Sequence, residues 1–270
     1  MLPDNTMRAT TVRLRIRAVL ATLGTVSALT VCSVAGAQDT APIVTDRPDV
    51  TESAIVVPQW SVQAENGLTW ALQDGQHTVS GTESLLRLGV GPHFELRFGL
   101  PDYLLNVSPG RRPHGFNDSS LGFKQQLGPL PEKIELSVIV ATSFPTGTSG
   151  VTTHGVDPFV KLPWSRDLRS GWSVGGMQSF FWPTENERRN PTWESTFYVE
   201  KEVTEPWAVF VEYAGDYSHF DSARQLVHVG TMYRVGRRHQ LDVHVGFGLT
   251  TSAPTHFVAL GYSFRLDPGK

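Results

Sequence analysis

Three side chains of the types that hydrolyse esters lie within four residues of one another in the segment HFDSARQ, at His219, Asp221 and Ser222. A serine becomes a nucleophile when a neighbouring base takes its proton and a third group orients that base. This spacing is too tight for a triad whose members are brought together across strands, and the segment lies in a predicted loop. We therefore interpret it as loop polarity and predict no catalytic residues.

Metal and cofactor chemistry find little support in the sequence. The nine histidines do not cluster, although His228 and His244 fall on the same side of neighbouring predicted strands, which is the nearest arrangement to a metal site. A glycine-rich phosphate loop would have to stand between a strand and a helix, and none does. We expect no bound metal and no cofactor.

Acidic and basic side chains instead occupy alternate positions of apolar segments. In one such segment Phe94, Leu96 and Phe98 share one side, while Glu95 and Arg97 share the other. Opposite charges on a common face can pair with one another and can select what passes between them. The alternation predicts a solute pathway lined by Glu65, Arg87, Glu95, Arg97, Lys124, Glu135, Glu212 and Arg234.

The elements that hold these charges are predicted to be β-strands throughout. Apolar and polar residues alternate with period two between recurring glycines and prolines, and no long segment has helical spacing. About twelve strands result, of which the first covers residues 59–73 and ends at the tight-turn pair Asp74-Gly75. A short piece at 157–162 is interrupted by prolines. Many short strands joined by turns predict one all-β domain, a sandwich or a barrel.

Alternation alone does not say which face is inside, because a soluble barrel turns its apolar face inward and a membrane barrel turns it to lipid. The polar face favours the membrane arrangement, since it contains many glycines that weaken a solvated strand but relieve crowding in a lumen. Burying about twelve apolar stripes in a soluble barrel would also require a large void. Lys201 falls on the apolar parity, so it either lies near an interface or marks an error in the predicted register.

The tryptophans support the same orientation. Trp60 and Trp70 stand ten residues apart on one apolar face, and Trp172 and Trp182 repeat the arrangement. Ten residues span about 33 Å, and a tilt of about 40° projects this to roughly 25 Å along the membrane normal, the height of a barrel's apolar band. Tryptophan favours the two edges of such a band. We interpret these four residues as parts of two aromatic girdles.

Residues 1–37 are predicted to be a signal peptide. Four arginines precede an apolar run, and Ala35-Gly36-Ala37 gives a small-x-small cleavage site. A membrane-anchoring helix and a lipoprotein signal ending at Cys32 are the alternatives. Cleavage would remove the only cysteine and therefore any disulfide. It would also change the net charge from −3 to −6, since four basic residues and one acidic residue leave, which argues against nucleic acid as a partner.

A charged, proline-interrupted lead-in at 38–57 precedes the predicted barrel at 58–270. Its charges could enter the lumen as a partial plug, or they could remain in the periplasm as a solvated stub. We favour contact with the lumen, because Pro48 and Pro58 stiffen the approach. The lead-in residues expected to make it are Asp46, Arg47, Asp49 and Glu52.

The segment TDRPDVTESAIVVPQWSVQAENGLTW resembles the start of the outer-membrane proteins grouped under the phenol-degradation meta-pathway (MetA-pathway) name. The matching positions are Thr45, Asp46, Arg47, Pro48, Asp49, Thr51, Glu52, Val57, Pro58, Gln63, Glu65 and Gly67. The resemblance is looser at 115–127 and 141–147. It implies an outer-membrane barrel that passes aromatic or other apolar small molecules. Such barrels usually end on an aromatic residue, whereas here six residues follow Phe264.

We therefore predict one closed antiparallel transmembrane β-barrel in the outer membrane that acts as a channel for small molecules. Its expected partners are outer-membrane lipid, a small-molecule solute and the barrel-insertion machinery. Two other functions stay open, an outer-membrane lipid hydrolase of the Ser–His type and a soluble secreted β-protein that binds an apolar ligand. The substrate and its direction of movement do not follow from the sequence.

Overall fold

The computed structural model describes residues 41–107, 114–185 and 187–267, so the predicted signal peptide and the start of the lead-in lie outside the described residues. Within these ranges, no helix has the length and the apolar composition needed to cross a membrane. The strands in these ranges are β1 (Val62–Gln73), β2 (Gln76–Gly91), β3 (Phe94–Gly99), β4 (Tyr103–Asn106), β5 (Gly115–Phe116), β6 (Ser119–Gln126), β7 (Ile134–Phe144), β8 (Asp157–Asp167), β9 (Trp172–Phe181), β10 (Thr184–Glu185), β11 (Arg188–Arg189), β12 (Thr192–Thr204), β13 (Trp207–Ser218), β14 (Arg224–Val235), β15 (His239–Gly248) and β16 (His256–Leu266).

Twelve of these strands form one closed antiparallel barrel. Neighbours pair in the order β1, β2, β3, β6, β7, β8, β9, β12, β13, β14, β15 and β16, and β16 pairs with β1. Val62 at the start of β1 stands opposite Leu88 of β2 on one side and Leu266 of β16 on the other. Closure pairs the backbone polar groups that hydrocarbon could not satisfy. The predicted fold class, a closed all-β barrel of about twelve strands, is confirmed.

The barrel turns its apolar parity outward. Leu68, Phe247 and Leu260 are 50–54% exposed, whereas Arg87 and Lys124 are 0% exposed. Soluble monomers rarely leave a continuous apolar surface of this kind in water. The outer wall is therefore suited to hydrocarbon, and the ionic side chains enclose the lumen.

The two ends of the barrel differ. At one end, which we call the turn end, strands are joined by short connections such as 92–93, 205–206 and 236–238. At the other, the loop end, longer connections include 145–156 and 249–255. Outer-membrane barrels have short periplasmic turns and longer extracellular loops. β1 starts and β16 finishes at the turn end, so both ends of the barrel sequence meet there.

Prolines explain where the strands depart from the sequence prediction. The strand predicted at 94–100 ends at Gly99, close to Pro101, which has no N–H to donate. A further strand that was not predicted, β4, follows alongside the first half of β2. The piece predicted at 157–162 instead runs to Asp167 as β8. Pro163 pairs with Met177 of β9 but has no partner in β7. The strand therefore continues through Pro163, because only the pairing with β7 is interrupted there.

The side chains at the predicted girdle positions are exposed on the outer surface. Trp60 and Trp172 lie at the turn end, and Trp70 and Trp182 lie toward the loop end. Lys201 also lies outward near the turn end, where its ammonium group contacts the carbonyl of Ser170 and stands 5.5 Å from the ring centroid of Trp172. The predicted register of β12 is therefore correct, and the long lysine stem carries its charge to the rim.

Candidate functional site

Residues 41–58, which precede the turn into β1, lie inside the barrel, and we call them the lumenal segment. The segment enters at the turn end, where the N–H of Ile43 donates to the carbonyl of Arg237 over 2.9 Å. It returns to the same end, where the N–H of Trp60 donates to the carbonyl of Gly89 over 2.6 Å. Between these points Ala54 and Val57 are buried. The segment is therefore a U-shaped insert that occupies part of the lumen.

Asp46 is the main anchor of the lumenal segment. Its carboxylate accepts hydrogen bonds from Arg97 Nη1 at 2.6 Å and from Lys124 Nζ at 2.9 Å, and Arg87 Nη1 lies 3.3 Å away. Its backbone N–H donates to Glu65 Oε2 at 2.8 Å. Three cations around one buried carboxylate offset its desolvation, which would otherwise strongly disfavour burying a charge.

The barrel wall also binds the backbone of the lumenal segment. Arg87 donates to Glu65 at 2.9 Å and to both oxygens of Glu95. Its two remaining N–H groups donate to the carbonyls of Ile55 at 2.8 Å and Val44 at 3.3 Å. Glu95 in turn accepts the N–H of Val57 at 2.7 Å. Wall charges therefore satisfy polar groups of a segment that forms no regular secondary structure.

A second anchor lies at Glu52. Its two carboxylate oxygens accept from Arg97 Nη2 and from Lys161 Nζ, each over 2.6 Å. Lys161 was not among the predicted site residues, because it belongs to the proline-interrupted strand β8. Its parity within that strand was the signal available in the sequence. These two anchors join eight ionic groups, four basic and four acidic: Arg87, Arg97, Lys124, Lys161, Asp46, Glu52, Glu65 and Glu95.

The tip of the lumenal segment is held by the opposite wall. Glu212 of β13 accepts the backbone N–H groups of Val50 and Thr51, each over 2.8 Å, and also the hydroxyl of Thr51. That hydroxyl further contacts the hydroxyl of Thr196 in β12. One carboxylate therefore fixes two adjacent peptide groups, and the tip spans from the basic wall to β13.

Arg47 lies along the wall over two paired glycines, Gly67 of β1 and Gly261 of β16. Its guanidinium donates to Glu83 at 2.8 Å and to Asp242 at 3.4 Å. A Cβ atom at Gly67 would lie 2.2 Å from Arg47 Nη1, and one at Gly261 would lie 2.5 Å from Arg47 Nε. Any larger residue at these positions would displace the guanidinium. The close approach of Arg47 therefore explains why these two lumenal positions are glycines.

Three of the predicted side chains take no part in these anchors. Glu135 accepts from Gln126 at 3.1 Å near the turn end, and Arg234 turns to the carbonyl of Glu205 at the turn that precedes β13. Asp49 lies in the lumenal segment, but its Oδ1 has no hydrogen-bond partner among the described residues. The eight-group network contains seven of the remaining predicted residues, namely Glu65, Arg87, Glu95, Arg97, Lys124, Asp46 and Glu52. Arg47 instead pairs with Glu83 and Asp242, and Glu212 binds the tip.

The residues considered for hydrolysis do not form a triad in the described structure. Asp221 accepts from Asn190 and Ser218, at 2.7 and 3.1 Å, and the ring of His219 packs on Phe220. Across the described ranges, no three His, Cys, Asp or Glu side chains come together in a group that could hold a metal ion.

Solved outer-membrane channels share this fold. The COG4313 outer membrane channel from Pseudomonas putida F1 aligns with 78% of this chain and 97% of its own, with a TM-score of 0.59 at 12% identity. The NanC porin aligns with 76% of this chain and all of its own, with a TM-score of 0.54 at 8% identity. At these identities the likeness establishes the fold alone. No functionally curated protein matches the sequence.

The family assignment rests on the sequence. Residues 45–266, from the lumenal segment to the last residue of β16, match the model of the family described as "Putative MetA-pathway of phenol degradation". The match spans both the barrel and the anchors Asp46 and Glu52. This chain therefore belongs to that phenol-degradation MetA-pathway family, and the resemblance seen in its first strand and lead-in is confirmed.

Proposed function

We propose that this protein is an outer-membrane channel for small aromatic or apolar molecules, and that the lumenal segment closes its pathway at rest. The observation that carries the proposal is the bonding of Asp46 to Arg97 and Lys124, because it fixes the segment across the lumen. The segment is tied by ion pairs and hydrogen bonds that can exchange. It therefore acts as a plug that a solute or a partner can displace.

The lining favours small and uncharged solutes. The eight-group network contains equal numbers of cations and anions, so it offers little net charge to attract an ion. Inward-facing Ile139, Met177 and Phe210 add buried apolar surface to the lumen. A twelve-stranded barrel can be largely filled by its own side chains, which is consistent with a narrow passage. The family description, which names phenol degradation, supports aromatic solutes.

The proposed location requires export and insertion. Residues 1–37 act as the signal peptide, and outer-membrane lipid covers the exposed apolar wall. Phe264 projects outward near the end of β16, where the insertion machinery can read it. The exposed tryptophans at both ends of the barrel lie at the lipid interfaces, where their rings and N–H groups are both satisfied.

A disulfide lock tests the plug. The hydroxyls of Thr51 and Thr196 are in contact, so a disulfide in the double variant Thr51→Cys/Thr196→Cys joins the tip of the lumenal segment to the barrel wall. The only natural cysteine, Cys32, lies in the predicted signal peptide. The variant is reconstituted into liposomes, and efflux of glycerol, a small uncharged solute that crosses a bare bilayer far more slowly than phenol, is measured with the protein oxidised and then reduced. The single variant Thr196→Cys, treated in the same way, is the control.

We expect the oxidised double variant to release glycerol no faster than protein-free liposomes and the reduced form to regain the rate of the wild type. The control should be insensitive to oxidation. Equal efflux in the locked and reduced states would contradict a displaceable plug. Wild-type protein that releases glycerol no faster than protein-free liposomes would contradict the channel itself.

A further inference from the structure

Four rings from four consecutive strands meet in the lumen beside the tip contact; we call them the ring cluster. They are Phe210 of β13, His228 of β14, His244 of β15 and Phe257 of β16. The centroid of His228 lies 5.4 Å from those of Phe210 and His244, and that of His244 lies 5.5 Å from Phe257. These are ordinary distances for edge-to-face contacts between aromatic rings.

Two wall glycines let both phenyl rings lie flat against the backbone. A Cβ atom at Gly230 would lie 2.4 Å from the ring of Phe210, and one at Gly246 would lie 2.1 Å from the ring of Phe257. Phe257 remains partly exposed, so its ring can still be reached from the lumen. Phe257 is therefore the ring of the cluster that presents an accessible aromatic face, whereas Phe210 is 5% exposed.

The two imidazoles of the ring cluster have unused hydrogen-bonding capacity. His228 is 1% exposed and His244 is 8% exposed, yet Nδ1 of each has no hydrogen-bond partner among the described residues. A buried polar atom without a partner is unfavourable, because it has lost its hydrogen bonds to water. A hydroxyl group satisfies either tautomer, because it both donates and accepts.

The charges around the ring cluster disfavour an anion. Glu212 Oε2 lies 2.5 Å from His228 Nε2, and Asp242 stands two residues from His244 on the same face. Arg47 is the nearby cation, and it is already bound to Glu83 and Asp242. The fixed negative charges of Glu212 and Asp242 would therefore repel a carboxylate ligand, whereas they would not repel a neutral ligand.

We propose that the ring cluster is a binding site for a small neutral hydroxyaromatic molecule, whose ring packs against Phe257 and Phe210 while its hydroxyl hydrogen-bonds to Nδ1 of His244. The proposal rests on the proposed function, since the ligand must enter the lumen. It adds a specific ligand-binding site next to Glu212 in the proposed pathway. A ligand held there contacts the residue that fixes the tip of the lumenal segment.

Imidazole nitrogen NMR tests this site without measuring transport. The protein is labelled with ¹⁵N-histidine, purified from membranes in detergent, and titrated with phenol, toluene and benzoate. Phenol and toluene have similar shapes and differ in the hydroxyl group, and benzoate carries the disfavoured charge. We expect saturable shifts of the Nδ1 signals of His228 and His244 with phenol, weaker shifts with toluene and the weakest with benzoate.

The variant His244→Phe keeps a ring of similar size and removes the nitrogen. Because one net hydrogen bond contributes about 1 kcal/mol, the affinity for phenol should fall roughly five- to tenfold, with that for toluene unchanged. His239→Phe is the matched control. The ring of His239 stacks on that of Tyr262 outside the lumen, and its Nδ1 is hydrogen-bonded to the hydroxyl of Tyr262 at 2.9 Å. The control should therefore retain wild-type affinity for phenol.

Equal affinity for phenol and toluene, or an unaltered phenol titration in His244→Phe, would overturn the site. A shift of His239 as large as those of His228 and His244 would also overturn it, since it would indicate partition of phenol into detergent. These results are independent of the disulfide lock. Efflux that follows the lock without saturable shifts contradicts the site alone, whereas saturable shifts without efflux support the site and contradict the channel.

Discussion

Asp46 Oδ2 lies 2.6 Å from Arg97 Nη1, and this ion pair joins two parts of the chain with different roles. Asp46 belongs to a segment without regular structure, and Arg97 belongs to the barrel wall. Both side chains are buried. Removal of either charge leaves its partner buried without compensation, which is far less favourable than removing both.

Asp46→Asn should therefore loosen the lumenal segment. Arg97, Lys124 and Arg87 would lose their shared carboxylate, and breaking a buried ion pair in this way destabilises by about 3–5 kcal/mol. Part of that loss should appear as release of the segment, measured as faster proteolysis before β1 and higher conductance in planar bilayers. The matched control is Arg166→Gln, which breaks the exposed pair with Glu132 and should change little. A closed, protease-resistant Asp46→Asn protein would contradict the anchor role.

Glu212→Gln should free the tip while leaving the first anchor in place. The neutral amide accepts more weakly than the carboxylate, and its NH₂ group faces a peptide N–H, so at least one of the two backbone bonds is lost. Amide hydrogen exchange of Val50 and Thr51 should quicken roughly tenfold for a loss of about 1.4 kcal/mol. Glu135→Gln, on a wall carboxylate bonded only to Gln126 in the described structure, is the control. Unchanged exchange at both amides would refute the tip contact.

Gly67→Ala should displace Arg47. The added methyl would lie 2.2 Å from the guanidinium, so the side chain must give up its bond to Glu83, and the melting temperature should fall. Gly91→Ala is a matched control, because a Cβ atom there has its nearest neighbour at 3.7 Å. If both variants melt at the same temperature as the wild type, the close approach of Arg47 to the wall is not a constraint.

Asp118 should give the loop end a dependence on acid pH. Burial alone would raise the pKa of this carboxyl, but hydrogen bonds from Thr152, Thr153 and Gly147 outweigh it and lower the pKa below its ordinary value. A lowered pKa means that the stabilisation is present at neutral pH and is lost as pH falls below about 4. Protection of the Gly147 and Thr153 amides from exchange should fall in that range.

The control for this titration is Asp118→Asn at each pH, which corrects for the intrinsic exchange rate. The variant should lack the acid transition and should protect both amides less at neutral pH, since the carboxylate accepts from Gly147 and Thr153 at 3.0 Å each. An identical pH profile in the variant would assign the transition to another group.

The tryptophans should report their depth in a bilayer. Trp60, Trp172 and Trp207 stand at the turn end, and Trp70 and Trp182 stand toward the loop end. Lipids brominated close to the headgroup should quench their fluorescence more than lipids brominated near the chain ends. The reverse order would contradict the girdles, and no quenching by either lipid would contradict membrane insertion.

Much of the barrel follows from local sequence. Strand period, turn residues and face polarity are properties of short segments, so the alternation around Glu95 and Arg97 indicated both the strand and the inward direction of its charges. The outward orientation of the apolar face also followed from the sequence, because glycines would only weaken a charged face that is exposed to solvent. The extension of β8 through Pro163 did not follow, since it depends on which neighbour tolerates a missing N–H.

What the sequence alone determined is therefore the kind of wall, the parity of its charges and the family to which the chain belongs. Only the tertiary structure decided how the lumen is filled: the lumenal segment has no periodicity, and its partners are far away in sequence. Arg47 and Asp242 are separated by 195 residues, and Thr51 and Thr196 by 145. Such contacts exist only after β16 has closed on β1, because closure is what brings opposite walls within reach of one short segment.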